Sequence, residues 1–124
     1  MVAPEQLERI ANRLAELARD VVVTPVRYIK TIGDAVMFVS SDPAQLLNVV
    51  LDLMSAAAQH ELPRLRVGIA SGWAVSHAGD WYGSPVNIAS RITDAARPGD
   101  VVVAESVRED IGAAEGLELS LIHI

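Results

Sequence analysis

Helical and strand-like segments alternate along the chain, and this alternation is what most limits the folds open to it. Residues 4–19 carry apolar residues three or four positions apart, a spacing that predicts an amphipathic helix. The spaced residues are Leu7, Ile10, Leu14 and Leu17. Residues 26–39 are rich in β-branched and apolar residues on both sides of Gly33-Asp34, which predicts a hairpin with these two residues at its tip.

The same alternation continues after the hairpin. Asp42-Pro43 is typical of an N-cap followed by proline at the first helical position, and it predicts a helix that ends near His60. The remaining predicted elements are a strand at 64–75, a capped helix from Ser84-Pro85 to near Arg97, a strand at 100–104 and a short helix at 105–112. Together these elements indicate an α/β sandwich in which helices pack on a mixed sheet.

Composition limits the class of protein and its partners. A chain of 124 residues, 51% hydrophobic and 21% charged, is a globular chain about one domain long. Its formal net charge of −6 argues against nucleic acid or an anionic membrane surface as a partner. The sequence holds no cysteine, so disulfides, zinc–thiolate sites and cysteine nucleophiles are excluded.

Nothing in the apolar pattern predicts a signal peptide or a membrane span. The first predicted turns carry Glu5, Glu8 and Arg9, and the most apolar stretch, residues 46–58, is short and interrupted by polar residues. We therefore expect a soluble, cytoplasmic domain with no membrane contact by this segment, while membrane tethering of a longer protein stays open.

Two charged residues, Lys30 and Asp34, flank the hairpin tip inside an otherwise strand-like segment. The carboxylate of Asp34 is a candidate ligand for a hard divalent cation bound to phosphates. The alternatives are that Gly33-Asp34 only satisfies the turn and that the lysine only extends to water. Their positions alone leave both interpretations open.

Residues 79–91 hold the second group of candidates. If the predicted helix begins as expected, Asn87 and Arg91 are four residues apart, on one face near its positive end, where an anion is favoured. Arg91 offers donors to phosphate oxygens, and Asn87 can orient a hydroxyl or phosphate. Asp80 and the rings of Trp81-Tyr82 are predicted to form one wall of a flat pocket. The alternative is an ordinary capped helix with a solvated arginine and a surface asparagine.

Three segments carry a resemblance jointly. They are "IKTIGDAVM", "LRVGIASG" and "WYGSPVNIASR". In this order and at these separations they closely resemble the catalytic domain of the class III nucleotide cyclases, and "GDWYGSPVN" is most similar to bacterial, particularly actinobacterial, adenylate cyclases. The resemblance extends over about residues 4–115. It implies the class III cyclase fold, with helices packed on a mixed, mainly antiparallel sheet, here truncated at both ends.

The resemblance assigns a role to each candidate residue. Asp34 matches the second of two metal-binding aspartates, Lys30 the lysine that recognises adenine, and Asp80 its partner aspartate. Asn87 matches the asparagine that orients the ribose and the reacting phosphate. Arg91 matches the arginine that stabilises charge on the transferring phosphate.

The resemblance also implies a reaction. The 3′-hydroxyl of ATP attacks the α-phosphate and releases pyrophosphate and cyclic AMP, with two Mg²⁺ or Mn²⁺ ions at a site shared across a homodimer interface. One alternative is a non-catalytic cyclase-like module that binds nucleotide or only dimerises. A guanylate cyclase is a weaker alternative, disfavoured by Lys30 and Asp80.

The chain departs from the family pattern at both ends. The family's first metal aspartate lies on a strand before the opening helix, and no residue before Pro4 supplies it. Later strands with a phosphate-contacting basic residue are also missing. We therefore expect residues 1–118 to be a partial catalytic domain without useful activity alone. Residues 119–124, "LSLIHI", match one frame of a transposon end used in sequencing libraries and are predicted to be a non-native tail; the alternative is a genuine apolar terminal strand.

Overall fold

The computed structural model describes residues 4–32, 34–72 and 74–104 and the backbone of residues 117–123. The helices are α1 Pro4–Val21, α2 Pro43–Gln59 and α3 Ser84–Ala95. The strands are β1 Arg27–Ile32, β2 Ala35–Ser40, β3 Arg66–Gly72, β4 Val75–His77, β5 Asp80–Tyr82, β6 Val101–Val103 and β7 Leu117–His123. The short helix predicted at 105–112 lies outside the described residues. Among the described residues, none of the helices has the length and apolar character needed to cross a bilayer.

Five of the strands form one sheet in the order β1-β2-β7-β3-β6, and β4 and β5 form a separate two-stranded ribbon. The pairs β1–β2, β2–β7 and β3–β7 are antiparallel, whereas β3 and β6 are parallel. The predicted α/β architecture with a mixed, mainly antiparallel sheet is therefore confirmed. The hairpin predicted at residues 26–39 is β1–β2.

Strand β2 is buried along its whole length because both faces of the sheet are covered. On one face, Val36 and Phe38 join the main core formed with α1 and α2. On the other face, called the second face below, Met37 and Val39 contact the partly buried Trp81 of β5. The sheet thus lies between a two-helix layer and a layer that contains the ribbon.

The helix signals in the sequence are confirmed for α1 and α2. The carboxylate of Asp42 accepts hydrogen bonds from the backbone N–H groups of Ala44 at 3.0 Å and Gln45 at 3.1 Å, and Pro43 opens α2. In α1, Leu14 and Leu17 are buried as the periodicity predicts. Leu7, at the N-terminal end of the helix, stays 41% exposed.

The strand predicted at 64–75 is wrong in its extent. Strand β3 ends at Gly72, and β4 pairs with β5 through a two-residue turn whose residues Ala78 and Gly79 have φ angles of 52° and 80°. Two positive φ angles are what a type I′ hairpin turn requires. The sequence pattern does not predict this ribbon, because the two strands are only three residues long and the turn has alanine where asparagine or glycine is usual.

The backbone of β7 occupies the centre of the sheet. It pairs with β2 from Ala35 to Ser40 and with β3 from Arg66 to Gly72, antiparallel to both. Residues 119–123, part of the predicted non-native tail, are therefore strand residues. A place in the sheet does not test the origin of a segment, so the non-native origin stays a prediction.

Helix α3 packs on β3 so closely that only glycine fits at position 68. A Cβ atom there would lie 2.4 Å from Oγ1 of Thr93, 2.6 Å from the carbonyl oxygen of Ala89 and 2.7 Å from the backbone nitrogen of Thr93. Oγ1 of Thr93 itself donates a 2.7 Å hydrogen bond to the carbonyl of Ala89. Since Val67 and Ile69 belong to the main core, the alternation along β3 places Gly68 and α3 on the second face.

We expect Gly68→Ala to lower the free energy of unfolding by about 1–3 kcal/mol, because the added methyl group forces α3 away from β3. Chemical denaturation measures this loss. The double variant Gly68→Ala/Thr93→Ala serves as a control and is expected not to restore stability, since two of the three close contacts are to backbone atoms. A Gly68→Ala protein as stable as the parent would contradict the close approach.

Candidate active site

A β-bulge in β1 determines which way Lys30 points. Tyr28 is opposite Phe38 and Lys30 is opposite Met37, so Ile29 is an extra residue between the two pairs. Without a bulge, strand alternation would place Lys30 on the same face as Tyr28, against the main core. With it, Lys30 lies opposite a residue of the second face.

On the second face Lys30 meets Asp80. Nζ of Lys30 donates a hydrogen bond to Oδ2 of Asp80, and the two side chains are 39% and 23% exposed. Oδ1 of Asp80 accepts a 2.7 Å hydrogen bond from the backbone N–H of Trp81. Both carboxylate oxygens are therefore engaged, and the ribbon brings together two residues fifty positions apart.

These contacts lower the pKa of Asp80. The hydrogen bond from Lys30 is the main cause and the backbone hydrogen bond from Trp81 is the second, while partial desolvation acts in the opposite direction. Because the pKa is lowered in the folded protein, the pair contributes to stability above the ordinary aspartate pKa. That contribution is lost as the pH falls through the lowered value. Both groups are partly solvated, so the contribution is modest.

Asp34 lies in different surroundings. It is half-buried directly before β2, and it borders a cavity of about 430 Å³. The other lining residues all belong to α1: Pro4, Leu7, Glu8, Ala11 and Asn12. Within residues 4–32, 34–72 and 74–104, no three His, Asp or Glu side chains converge as a metal site. The described chain therefore offers a carboxylate suited to a hard cation, but only part of a ligand set.

Asn87 and Arg91 both lie on α3 and both are exposed. They are one helical turn apart, as predicted, and neither side chain has a hydrogen bond or ion pair among the described residues. The predicted Ser84 cap is wrong. Ser84 is the first helical residue, and Gly83 with φ 139° is the N-cap, with no side-chain hydrogen bond. The positive φ requires glycine, so the chain enters α3 one residue earlier than a serine cap would allow.

Trp81 and Tyr82 do not form one wall. Strand alternation separates them: Trp81 packs against Met37 and Val39, whereas Tyr82 is opposite Val75 and 54% exposed. Sequence reasoning also missed Arg27, whose guanidinium lies 5.6 Å from the centroid of the Trp81 ring. In the sequence, Arg27 is marked only by being a second cation, three residues before Lys30.

The chain matches the adenylate and guanylate cyclase catalytic domain over residues 1–120 and belongs to that family. It is 59% identical over 115 residues to the pH-sensitive adenylate cyclase MT1302 of Mycobacterium tuberculosis, covering 92% of this chain and 29% of the relative. It is 38% identical over 103 residues to an adenylate cyclase of Streptomyces griseus, covering 82% of this chain and 26% of the relative. The resemblance to class III cyclases is confirmed. The chain spans less than a third of the length of these relatives.

We expect Lys30→Met to raise the pKa of Asp80 toward the ordinary aspartate value, because the main cause of its lowering is removed. A pH titration of the side-chain carboxyl carbon by NMR measures the change. Lys30→Arg keeps a cationic donor and is the control, in which the pKa stays low. An Asp80 carboxyl that titrates at the same pH in the parent and in Lys30→Met would refute the assignment of the cause.

Proposed function

We propose that this domain is the catalytic part of an adenylate cyclase that converts ATP to cyclic AMP and pyrophosphate for intracellular signalling. The observation that carries the proposal is the contact between Lys30 and Asp80. The family resemblance assigns these two residues to adenine, and they are distant in sequence. A shared role at one ligand is a sufficient reason for a cation and a carboxylate to meet on a partly exposed face.

The pair has the chemistry that adenine needs. An ammonium group donates to a ring nitrogen, and a carboxylate accepts from the exocyclic amine. Guanine presents a carbonyl and a protonated ring nitrogen at the corresponding edge, so the same two side chains meet mismatched groups. A polar group left unpaired on binding costs about 1–3 kcal/mol, which is enough to favour ATP over GTP.

Residues of α3 serve the ribose and the phosphates in this proposal. Asn87 orients the ribose and the reacting phosphate, and Arg91 stabilises the charge that develops on the transferring phosphate. The exposure of both residues supports these roles. Asn87 lies in the first turn of α3, where the positive end of a helix favours an anion, and Arg91 lies one turn further along the same exposed face. Gly83 adds support because it caps the helix without a side-chain acceptor.

The resemblance assigns Asp34 to the metal ions of the reaction, two Mg²⁺ or Mn²⁺ per complete site. Such ions, when bound, neutralise the triphosphate and lower the pKa of the attacking hydroxyl. Asp34 contributes one carboxylate, and its half-buried position beside the cavity along α1 is compatible with that role. Further ligands are needed for two ions, so we propose that residues 1–124 alone turn over ATP poorly.

A homodimer with two composite sites fits the separation of the site residues. Asp34 borders a cavity against α1, whereas Lys30 and Asp80 meet on the second face of the sheet. The exposed Asn87 and Arg91 are available to a partner chain. We propose that Asp34 of one chain serves the site built from Lys30, Asp80, Asn87 and Arg91 of the other, in a cytoplasmic domain.

A second candidate function is a non-catalytic cyclase-like module that binds nucleotide or dimerises with a complete partner. It is favoured by the incomplete set of metal ligands among the described residues. A guanylate cyclase is the weaker candidate, since Lys30 and Asp80 match adenine.

Recognition of adenine by Lys30 and Asp80 can be tested in a full-length protein that carries this domain. Lys30→Glu combined with Asp80→Ser is expected to lower kcat/KM for ATP by more than that for GTP, because both adenine contacts are lost. Steady-state kinetics with each nucleotide and Mn²⁺ measure the ratio. Glu61→Gln, on the exposed turn after α2, is the control. An ATP-to-GTP ratio equal to that of the parent would refute adenine recognition by this pair.

The composite site can be tested in the same full-length protein. Asp34→Ala is expected to abolish activity by removing a metal ligand, and Arg91→Ala to reduce it strongly by removing stabilisation of the transition state. Mixed together, the two impaired proteins are expected to recover about a quarter of the parent activity. With random pairing half of the dimers are mixed, and each mixed dimer holds one intact site of two.

The control for this mixture is subunit exchange, followed by fluorescence transfer between labelled chains. If exchange is complete and no activity returns, Asp34 and Arg91 serve the same chain's site and the shared-site proposal fails. If the parent itself makes no cyclic AMP from ATP or cyclic GMP from GTP, the non-catalytic module is the better description.

A further inference from the structure

Arg27, Trp81 and Asp80 form a continuous set of contacts on the second face. The guanidinium of Arg27 lies 5.6 Å from the centroid of the Trp81 ring, within the range of a cation–π contact. The other side of the contact is apolar, because Trp81 packs with Ile29 and Val86 against the cluster of Met37 and Val39. The ring is therefore held between strand residues of the sheet and a cation.

The position of the Asp80 carboxylate depends on Trp81. Its Oδ1 atom accepts a 2.7 Å hydrogen bond from the backbone N–H of Trp81, so the carboxylate moves with the Trp81 backbone. The ribbon itself is a weak support. Both of its strands have three residues, and β4 is exposed throughout. A two-stranded ribbon of this length is marginal in water, so its place over the sheet depends on the contacts that its side chains make.

We propose that Arg27 and Trp81 are positioning residues that fix the separation between Lys30 and Asp80 and so set the selectivity for adenine. The inference rests on the proposed function, since it concerns the same base-recognition pair. Selectivity between purines depends on placing a donor and an acceptor at one fixed spacing. Lys30 belongs to the sheet and Asp80 to the ribbon. The distance between the donor and the acceptor therefore varies whenever the ribbon moves relative to the sheet.

The register of β1 explains why Arg27 can take this role. Arg27 is opposite Val39, a residue of the second face, and the bulge at Ile29 returns Lys30 to the same face three positions later. One short stretch of β1 thus holds both the cation that contacts the Trp81 ring and the cation that contacts the Asp80 carboxylate.

The chain offers a matched control on the opposite face of β1. The guanidinium of Arg19 lies 5.3 Å from the centroid of the Tyr28 ring, and Tyr28 packs against the main core. Arg19 lies on α1, and Arg19→Ala removes an arginine–aromatic contact of the same kind. Its ring partner Tyr28 is next to Arg27 in β1 but faces away from the ribbon. Arg27→Ala and Arg19→Ala therefore differ in the face they affect.

The kinetic test uses the full-length protein with ATP and GTP. Arg27→Ala is expected to lower the ATP-to-GTP ratio of kcat/KM by about two- to fivefold, because an exposed cation–π contact is lost, and Trp81→Ala by at least as much. Both losses are expected mainly through a higher KM for ATP. Trp81→Phe keeps an aromatic ring and is expected to retain most of the ratio. Arg19→Ala is expected to leave it unchanged. An unchanged ratio in both Arg27→Ala and Trp81→Ala would overturn the inference, as would an equal loss in Arg19→Ala.

A second readout needs no nucleotide. Hydrogen exchange of the Trp81 amide in the ligand-free protein is expected to accelerate about two- to fivefold in Arg27→Ala and not in Arg19→Ala. Unchanged exchange in Arg27→Ala would overturn the positioning role. If Trp81→Ala does not fold, Arg27→Ala and Trp81→Phe still test the positioning role.

The outcomes separate this inference from the proposed function. If Lys30→Glu/Asp80→Ser changes the ATP-to-GTP ratio while Arg27→Ala and Trp81→Ala do not, the pair recognises adenine and the positioning inference fails alone. If the double variant also leaves the ratio unchanged, adenine recognition itself fails, and the selectivity role of Arg27 and Trp81 fails with it.

Discussion

The burial of β2 on both faces is the constraint on which the rest of the structure depends. Its residues do not alternate between apolar and polar, because each of its two faces must be covered. The face with Val36 and Phe38 needs a large cover, which α1 and α2 provide. The face with Met37 and Val39 is covered in part by Trp81 and Val86, from the ribbon and from α3. Covering this second face brings Asp80 to Lys30.

Two backbone features then place candidate site residues on the second face. The bulge at Ile29 moves Lys30 from the face of the main core to the second face, where β5 lies. Gly68 removes the side chain that would hold α3 away from β3, and α3 carries Asn87 and Arg91. The proposed site thus depends on Ile29 and Gly68, although neither is assigned a contact with the substrate.

The sequence predicts local structure well where the signals are local. Apolar spacing and the Asp42 cap locate α1 and α2, and the apolar runs around Gly33-Asp34 locate the first hairpin. It cannot predict features that are set by contacts between distant segments. The bulge is defined by the register in which β1 pairs with β2, and the ribbon is held by packing on the second face. The Gly83 cap depends on how the chain leaves β5.

The candidate residues could be singled out from position and spacing, but the pairing of Lys30 with Asp80 could be predicted only through resemblance. Spacing places Asn87 and Arg91 on one helical face, which the structure confirms. Nothing in the spacing joins Lys30 to Asp80, whereas the family pattern names the two together and the structure shows their contact. Arg27 was missed because an arginine at a strand start is common, and its ring partner lies on a ribbon that the sequence conceals.

The partial exposure of Lys30 and Asp80 matters for the proposed reaction. In the ligand-free domain the two groups satisfy each other, so a base that binds between them must replace a direct ion pair with two hydrogen bonds of its own. A fully buried pair would make that exchange costly, because each charge would lose a partner before gaining another. At 39% and 23% exposure, water can solvate both groups during the exchange, and an exposed ion pair is worth little to begin with. In the proposed function, adenine then restores a partner to each group, whereas guanine leaves both mismatched. In that proposal the discrimination comes from where the sheet and the ribbon place the two groups relative to the base, and the strength of their mutual attraction contributes little to it.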